Sequence, residues 1–308
     1  SNTGGDNAIY PHWNISEGSE AVIRFLPDRD ETNTFFWTER NMIKLPFAGI
    51  KGQTDSRPVT VQVPCMEMYG KTCPVLTEVR PWFKDKSMED MGRKYWKKKS
   101  YIFQGFVTTN PLAEDTKPEN PIRRFIIGPQ IFNIIRGALM DPEMEEMPTD
   151  YMKGVDFRIT KTTKGGYADY STSKWSRRER ALDEAERAAI DKHGLHNLGD
   201  FRPKEPTEAE VKIIKELFEK SVEGEAYDLE QYGQYFRPAG VAYQGKPQVA
   251  VPTASAPAAT PVAEAAPVSA PVTESAPAPK PEAAPAPAGD SAKRAEDILK
   301  LIRSRQAK

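Results

Sequence analysis

Tyr101-Ile102-Phe103-Gln104-Gly105-Phe106-Val107 decides how this sequence folds. Aromatic and β-branched residues fill the run, which is the composition of a strand rather than a helix. Five further runs share that character. They are Ala21-Val22-Ile23-Arg24-Phe25-Leu26 before Pro27, Phe35-Phe36-Trp37, Val59-Thr60-Val61-Gln62-Val63, Arg123-Arg124-Phe125-Ile126-Ile127 and Val155-Asp156-Phe157-Arg158-Ile159-Thr160. Six strands at irregular spacing point to a mainly β protein with added helices, built on a small antiparallel barrel with insertions. Between the fifth and sixth runs, Ile131, Ile134, Ile135, Ala138 and Leu139 recur at helix spacing. Residues 176–193 are rich in Arg, Glu and Ala. Residues 207–222 open on a Thr-Glu-Ala-Glu cap and carry Val211, Ile214, Leu217 and Phe218 on one face. These segments predict a helical flap over roughly residues 176–240.

Composition sets the end of the folded part. Residues 251–288 hold 10 Pro and 14 Ala and no aromatic, Leu or Ile. Such a stretch buries too little apolar surface to offset chain entropy, so a core over residues 1–245 and a disordered linker over 246–289 are expected. Residues 290–308 change again, with six basic and three acidic side chains and an apolar stripe of Ala295, Ile298, Leu299 and Ile302. An amphipathic helix on a tether reads as a docking peptide, with Ile298, Leu299, Ile302 and Arg303 as its partner-binding residues. No run approaches a membrane span, the first residues have no signal-peptide layout, and two Cys make no disulfide framework. A cytoplasmic protein without a membrane partner is expected.

The whole chain carries 43 Lys and Arg against 44 Asp and Glu, and the charges are clustered. Arg93-Lys94-Tyr95-Trp96-Lys97-Lys98-Lys99-Ser100-Tyr101 sets five cations beside three rings with no carboxylate. Read as extended chain, it lets cations and rings share a groove wall. Unpaired nucleic acid asks for that combination, cations for phosphates and ring faces for bases. Lys161 and Lys164 before Gly165-Gly166-Tyr167-Ala168-Asp169-Tyr170, and Arg123-Arg124-Phe125, repeat the theme, and Arg24 lies inside a strand. Cys65 and Cys73 are the only candidate metal ligands in a knuckle-like loop, and Leu76 stands where a third sulfur is needed. Packed small hydrophobes are the expected reading, with no cofactor. No phosphate loop, nucleophile elbow or His-Glu-x-x-His is present. Asp141, Glu143, Glu145 and Glu146 are the sole candidate for metal-dependent nuclease chemistry, and they read as a solvated acidic surface.

Taken in order, residues 21–27, the Cys73-Pro74-Val75 corner, Lys97-Lys98-Lys99-Ser100-Tyr101, residues 122–139, residues 164–174 and Lys215-Glu216-Leu217-Phe218-Glu219 resemble the gene-32-type proteins of T-even-like bacteriophages. These are single-stranded DNA-binding, helix-destabilising proteins. The resemblance implies an OB-fold with a small inserted subdomain, and a non-enzymatic protein that coats single-stranded DNA in replication, recombination and repair. It implies phosphate contacts at Arg24, Lys97, Lys98 and Lys99. Base stacking would fall to Tyr69, Tyr95 or Trp96, Tyr101, Phe103, Phe125, Tyr167 and Tyr170. The family's zinc, held by three Cys and one His, finds only Cys65 and Cys73 here. The family self-associates along DNA through a basic amino-terminal arm, and no basic run stands before Asn7. Its acidic tail gives way to the Ala/Pro stretch and a net basic end, which would recruit replication and recombination proteins. An adaptor acting mainly through residues 290–308 is the alternative.

Overall fold

The computed structural model describes residues 8–243. In chain order the strands and α-helices are β1 (Glu20–Phe25), β2 (Trp37–Phe47), β3 (Val59–Pro64), α1 (Pro74–Val79), α2 (Glu89–Tyr95), β4 (Lys98–Thr109), β5 (Arg123–Ile127), α3 (Pro129–Leu139), β6 (Val155–Thr160), β7 (Thr162–Lys164), β8 (Tyr167–Asp169), β9 (Lys174–Glu179), α4 (Glu184–His193), α5 (Glu208–Val222) and α6 (Leu229–Tyr232). The fold is mixed α/β around antiparallel sheet. Its described residues form two compact units, one of residues 8–40 and 99–203, the other of 41–98 and 204–243. The linker over 246–289 and the terminal segment 290–308, with Ile298, Leu299, Ile302 and Arg303, lie outside the described residues.

In the first unit the antiparallel pairings run β5-β4-β1-β6-β9. Register places Phe103 opposite Phe125, Phe25 opposite Gly105, and Phe157 opposite both Ile23 and Trp175. Alternation along each strand then turns Phe25, Phe103, Phe125 and Phe157 to one side, where they meet Phe36 in a fully buried ring cluster. Phe25 is its centre, with ring centroids 4.8 Å from Phe103 and 5.9 Å from Phe157. Gly105 is required where β4 pairs with β1, because a Cβ there would stand 2.2 Å from the Arg24 carbonyl oxygen. α3 starts on Pro129 at its first turn and lays Ile131, Phe132 and Ile135 onto this cluster.

The second unit is built on the β2–β3 hairpin, whose facing pairs include Ile43 with Val63 and Leu45 with Val61. α5 begins at a Thr207–Glu210 capping box and packs Ile214, Leu217 and Phe218 against the hairpin's buried face. Trp82 stacks on Phe218 at 6.0 Å, and Tyr95 shares a 2.9 Å hydrogen bond with Ser221.

Three sequence expectations are corrected. β2 runs on from Trp37 to Phe47, although Glu39, Arg40, Lys44 and Pro46 interrupt the apolar run, because Met42, Ile43, Leu45 and Phe47 still turn inward. Residues 93–95 are the last turn of α2 rather than extended chain. Glu89 and Asp90 open that helix and Arg93 and Lys94 close it, the order that suits its dipole. The expected flap divides as well. Residues 176–179 complete β9 by pairing with β6, α4 waits for the Asp183–Glu186 capping box, and α5 and α6 belong to the second unit.

One buried group makes stability depend on pH. His12 is closed off against Trp13 and Tyr170, and burial lowers its pKa from 6.5 to about 4, with the nearby Lys161 charge adding to the effect. A base with a depressed folded pKa contributes stability above the unfolded value of 6.5. That contribution is lost as pH falls toward 4, by up to about 3 kcal/mol. Denaturant titrations across this range should show a steeper acid loss for the native chain than for His12→Gln, and parallel curves would refute the assignment.

Candidate nucleic-acid interface

α3 organises the exposed chemistry of the first unit. Its Phe132 ring stacks on Tyr101 with centroids 3.5 Å apart and planes at 7°, and it meets Trp37 edge-on at 5.2 Å. Trp37 in turn packs against Phe35 at 4.9 Å. The ladder runs outward from the buried Tyr101 and Phe132 to the half-buried Trp37 and to Phe35, which is 57% exposed. Cations flank it. Arg136, one turn along α3, holds its guanidinium 5.8 Å over Phe132, and Lys99 lies 4.0 Å from Glu39. Burial first, then the Glu39 charge, push the Tyr101 phenol up, and Arg136 opposes them.

The same helix pins a second aromatic element. Gln130 in its first turn donates to Asp169 Oδ1 at 2.5 Å and accepts from the Tyr170 backbone N–H at 2.9 Å, holding the return strand of the β7–β8 hairpin. Gly165 and Gly166, at φ 59° and 81°, form the two-residue turn that a tight hairpin of this hand demands. Lys164 and Tyr167 sit opposite each other beside that turn, both exposed, so a cation and a ring share one edge. Lys161 donates to the Trp13 carbonyl at 2.9 Å, and Tyr170 is half-buried against His12.

Several residues singled out in the sequence are placed elsewhere. Phe103 and Phe125 belong to the ring cluster, and Tyr101 has its face covered by Phe132, so the core leaves them no face for a base. Arg24 is fully buried. It donates to the Asp150 carbonyl at 2.7 Å and pairs with Asp156 at 3.6 Å, while Arg180 bridges Asp156 and Glu186. Arg123 is buried on a two-point pair with Glu114, and the Arg124 guanidinium lies 3.8 Å over Phe201. Each of these arginines stabilises the fold from inside or against a ring. Burial corrects the assignment of Arg24 and Arg123 to DNA contact, whereas Arg124 is only half-buried.

The Arg93 to Lys98 part of the basic motif belongs to the second unit. Tyr95 is buried there, which corrects its candidacy for stacking. Trp96 is half-buried, edge-on to Phe83 at 5.2 Å, with Arg80 and Lys97 over its ring at 5.5 and 5.9 Å. Glu67 accepts from both cations, at 2.7 Å from Arg80 and 3.0 Å from Lys97, and its pKa is lowered by those bonds against the cost of burial. Arg93 pairs with Glu89, and Lys98 donates to the Arg93 carbonyl at 2.6 Å with its pKa lowered by burial and by Lys44. Lys94 is exposed and Tyr69 packs half-buried on the unit's core. Carboxylates therefore already neutralise part of this motif.

Cys65 and Cys73 are free, buried and packed in the second unit's core, with Leu76 fully buried beside them. The Cys73 thiol accepts from Cys65 and from backbone N–H groups, which draws its pKa down and pushes that of Cys65 up. Among the described residues no third His, Cys, Asp or Glu joins the pair. Two sulfurs and an apolar Leu do not fit a four-coordinate zinc.

Sequence reading did not single out Phe35, Trp37, Phe132 and Arg136, which the fold brings together. A signal was present for the first two. Three consecutive aromatics cannot all be buried on one side of a chain; here a bend at Phe35 and Phe36 buries Phe36 and leaves Phe35 exposed, with Trp37 half-buried at the start of β2. For the second pair the signal was Phe132 and Arg136 at i and i+4 on a helix.

Exposed rings stand beside cations on this helix and sheet, the combination that unpaired nucleic acid asks for. Residues 17–222, more than half of the chain, match the family model described as gp32 DNA binding protein like, and the chain belongs to that family. No curated protein matches the chain. Among the described residues no helix is long and apolar enough to cross a membrane.

Proposed function

We propose that this protein coats single-stranded DNA without sequence preference during bacteriophage replication, recombination and repair in the host cytoplasm. Bases stack on Phe35, Trp37 and Tyr167, and phosphates pair with Lys99, Arg136 and Lys164. The observation that carries this reading is the graded aromatic ladder from buried Tyr101 and Phe132 to exposed Phe35, with Arg136 above it. Buried rings hold the outer ones in place, so stacking a base orders few side chains. Stacking tolerates any base because every base has a π-face. In the second unit Lys94, Trp96 and Lys97 serve as additional contacts. The OB-fold is part of this proposal, supported by the antiparallel pairings β5-β4-β1-β6-β9 of the first unit. So is recruitment of replication proteins through residues 290–308. The protein acts by binding, and the exposed Asp141, Glu143, Glu145 and Glu146 take no catalytic part.

Fluorescence titration tests the reading. Oligo(dT) should quench the tryptophans strongly, and duplex DNA of equal length should bind far more weakly. The logarithm of affinity should fall with the logarithm of salt by about 0.7 per phosphate contacted. Equal affinity for duplex and single strand would sink the proposal.

A further inference from the structure

Of the six exposed large apolar side chains among the described residues, Met140, Met147 and Met152 fall in one short stretch of the first unit. Asp141, Glu143, Glu145 and Glu146 stand exposed between them. The stretch has a defined path: Glu143 N–H donates to Asp141 at 2.9 Å, and Met152 and Lys153 N–H donate to Asp150 at 2.8 and 2.7 Å. Met147, Met152, Pro27 and Tyr151 line an open depression whose rim includes Glu146 and Asp150. Exposed thioethers on unbranched side chains adapt to varied apolar partners, and a carboxylate rim selects for a cationic one.

The sequence contains one segment with the complementary chemistry. Ala295, Ile298, Leu299 and Ile302 recur at helix spacing, and Lys293, Arg294, Lys300 and Arg303 lie among them. We infer that residues 291–308 dock on the methionine surface of residues 140–152 in the same chain, apolar stripe on Met147 and Met152 and cations on the surrounding carboxylates. Charge complementarity chooses the occupant: residues 141–152 carry five carboxylates and no cation, and although Lys153 pairs with Glu146 at 3.5 Å and Arg187 donates to the Met152 sulfur, the surface stays net acidic while the segment is net basic. Chain length chooses the same molecule over a second copy. The 44 residues from 246 to 289 can span on the order of 100 Å. Tethering then gives an effective concentration on the order of millimolar, above that of a free second copy. The docked segment is held on the core until a partner protein takes it.

Carbodiimide cross-linking of the full-length protein, prepared as a mixture of unlabelled and nitrogen-15-labelled chains, reads the contact directly. Amide links from Lys293 or Lys300 to Glu143, Glu145 or Glu146 are expected in the monomer band, without isotopic mixing. They should be lost in Ile298→Asp with Ile302→Asp, and also in Met147→Ser with Met152→Ser, which alters only exposed positions. In the full-length tail variant the methyl resonances of Met147 and Met152 should shift. Links that survive both variants, links between differently labelled chains, or unmoved methyl resonances would overturn the inference. None of these readouts involves DNA, so failure here is separable from failure of the binding proposal.

Discussion

Replacing Phe35 and Trp37 together with alanine is expected to weaken oligo(dT) binding about a hundredfold, because each base stacked on a ring contributes about 1–3 kcal/mol. Phe35 is largely exposed, but Trp37 packs on Phe36, Phe103 and Phe132, so the double variant should also melt lower and its affinity is read on the folded fraction. Phe35→Ala alone removes an exposed ring and should still cost a substantial part of the affinity. Competition titrations at constant salt read both variants. Unchanged affinity in a folded double variant would place the bases elsewhere.

The opposite outcome is expected at Arg24. Its side chain is fully buried, and burial followed by repulsion from Arg180 lowers its pKa while Asp156 and Glu186 oppose the shift. Removing one partner of a buried ion-paired cluster typically costs about 3–5 kcal/mol. Arg24→Ala should therefore lower the melting temperature strongly, strip Asp150 of a donor to its carbonyl, and leave the affinity of the folded fraction for oligo(dT) within a small factor. A stable Arg24→Ala protein that has lost DNA binding would restore the phosphate role that its place in the sequence suggested.

These two positions show what the sequence could reveal. Strands were legible where β-branched and aromatic residues dominate a short run or alternate along it, as in β1, β4, β5 and β6, and α3 and α5 were legible from spacing and caps. Short helices α1 and α2 carry too few turns for a period, and β9 is a charged run whose pairing with β6 decides it. Sites were harder to read because one strand pattern serves two environments. Arg24 and Lys99 both sit in strands beside aromatics, yet register turns Arg24 toward Asp150 and Asp156 and leaves Lys99 half-exposed at Glu39. Burial of a cation is a tertiary property, set by the acidic partners that β6 and the segment before it deliver. Tyr167 and Lys164 were legible because a two-glycine turn forces its flanking residues to a hairpin edge.

On the proposed reading, single-stranded DNA lies on the first unit's aromatic ladder and hairpin. Ultraviolet cross-linking of oligo(dT) to the full-length protein, with the modified residues mapped by mass spectrometry, tests it most directly. Adducts are expected at Phe35, Trp37 or Tyr167. Adducts confined to Tyr69 and Trp96 in the second unit, with the ladder untouched, would contradict it.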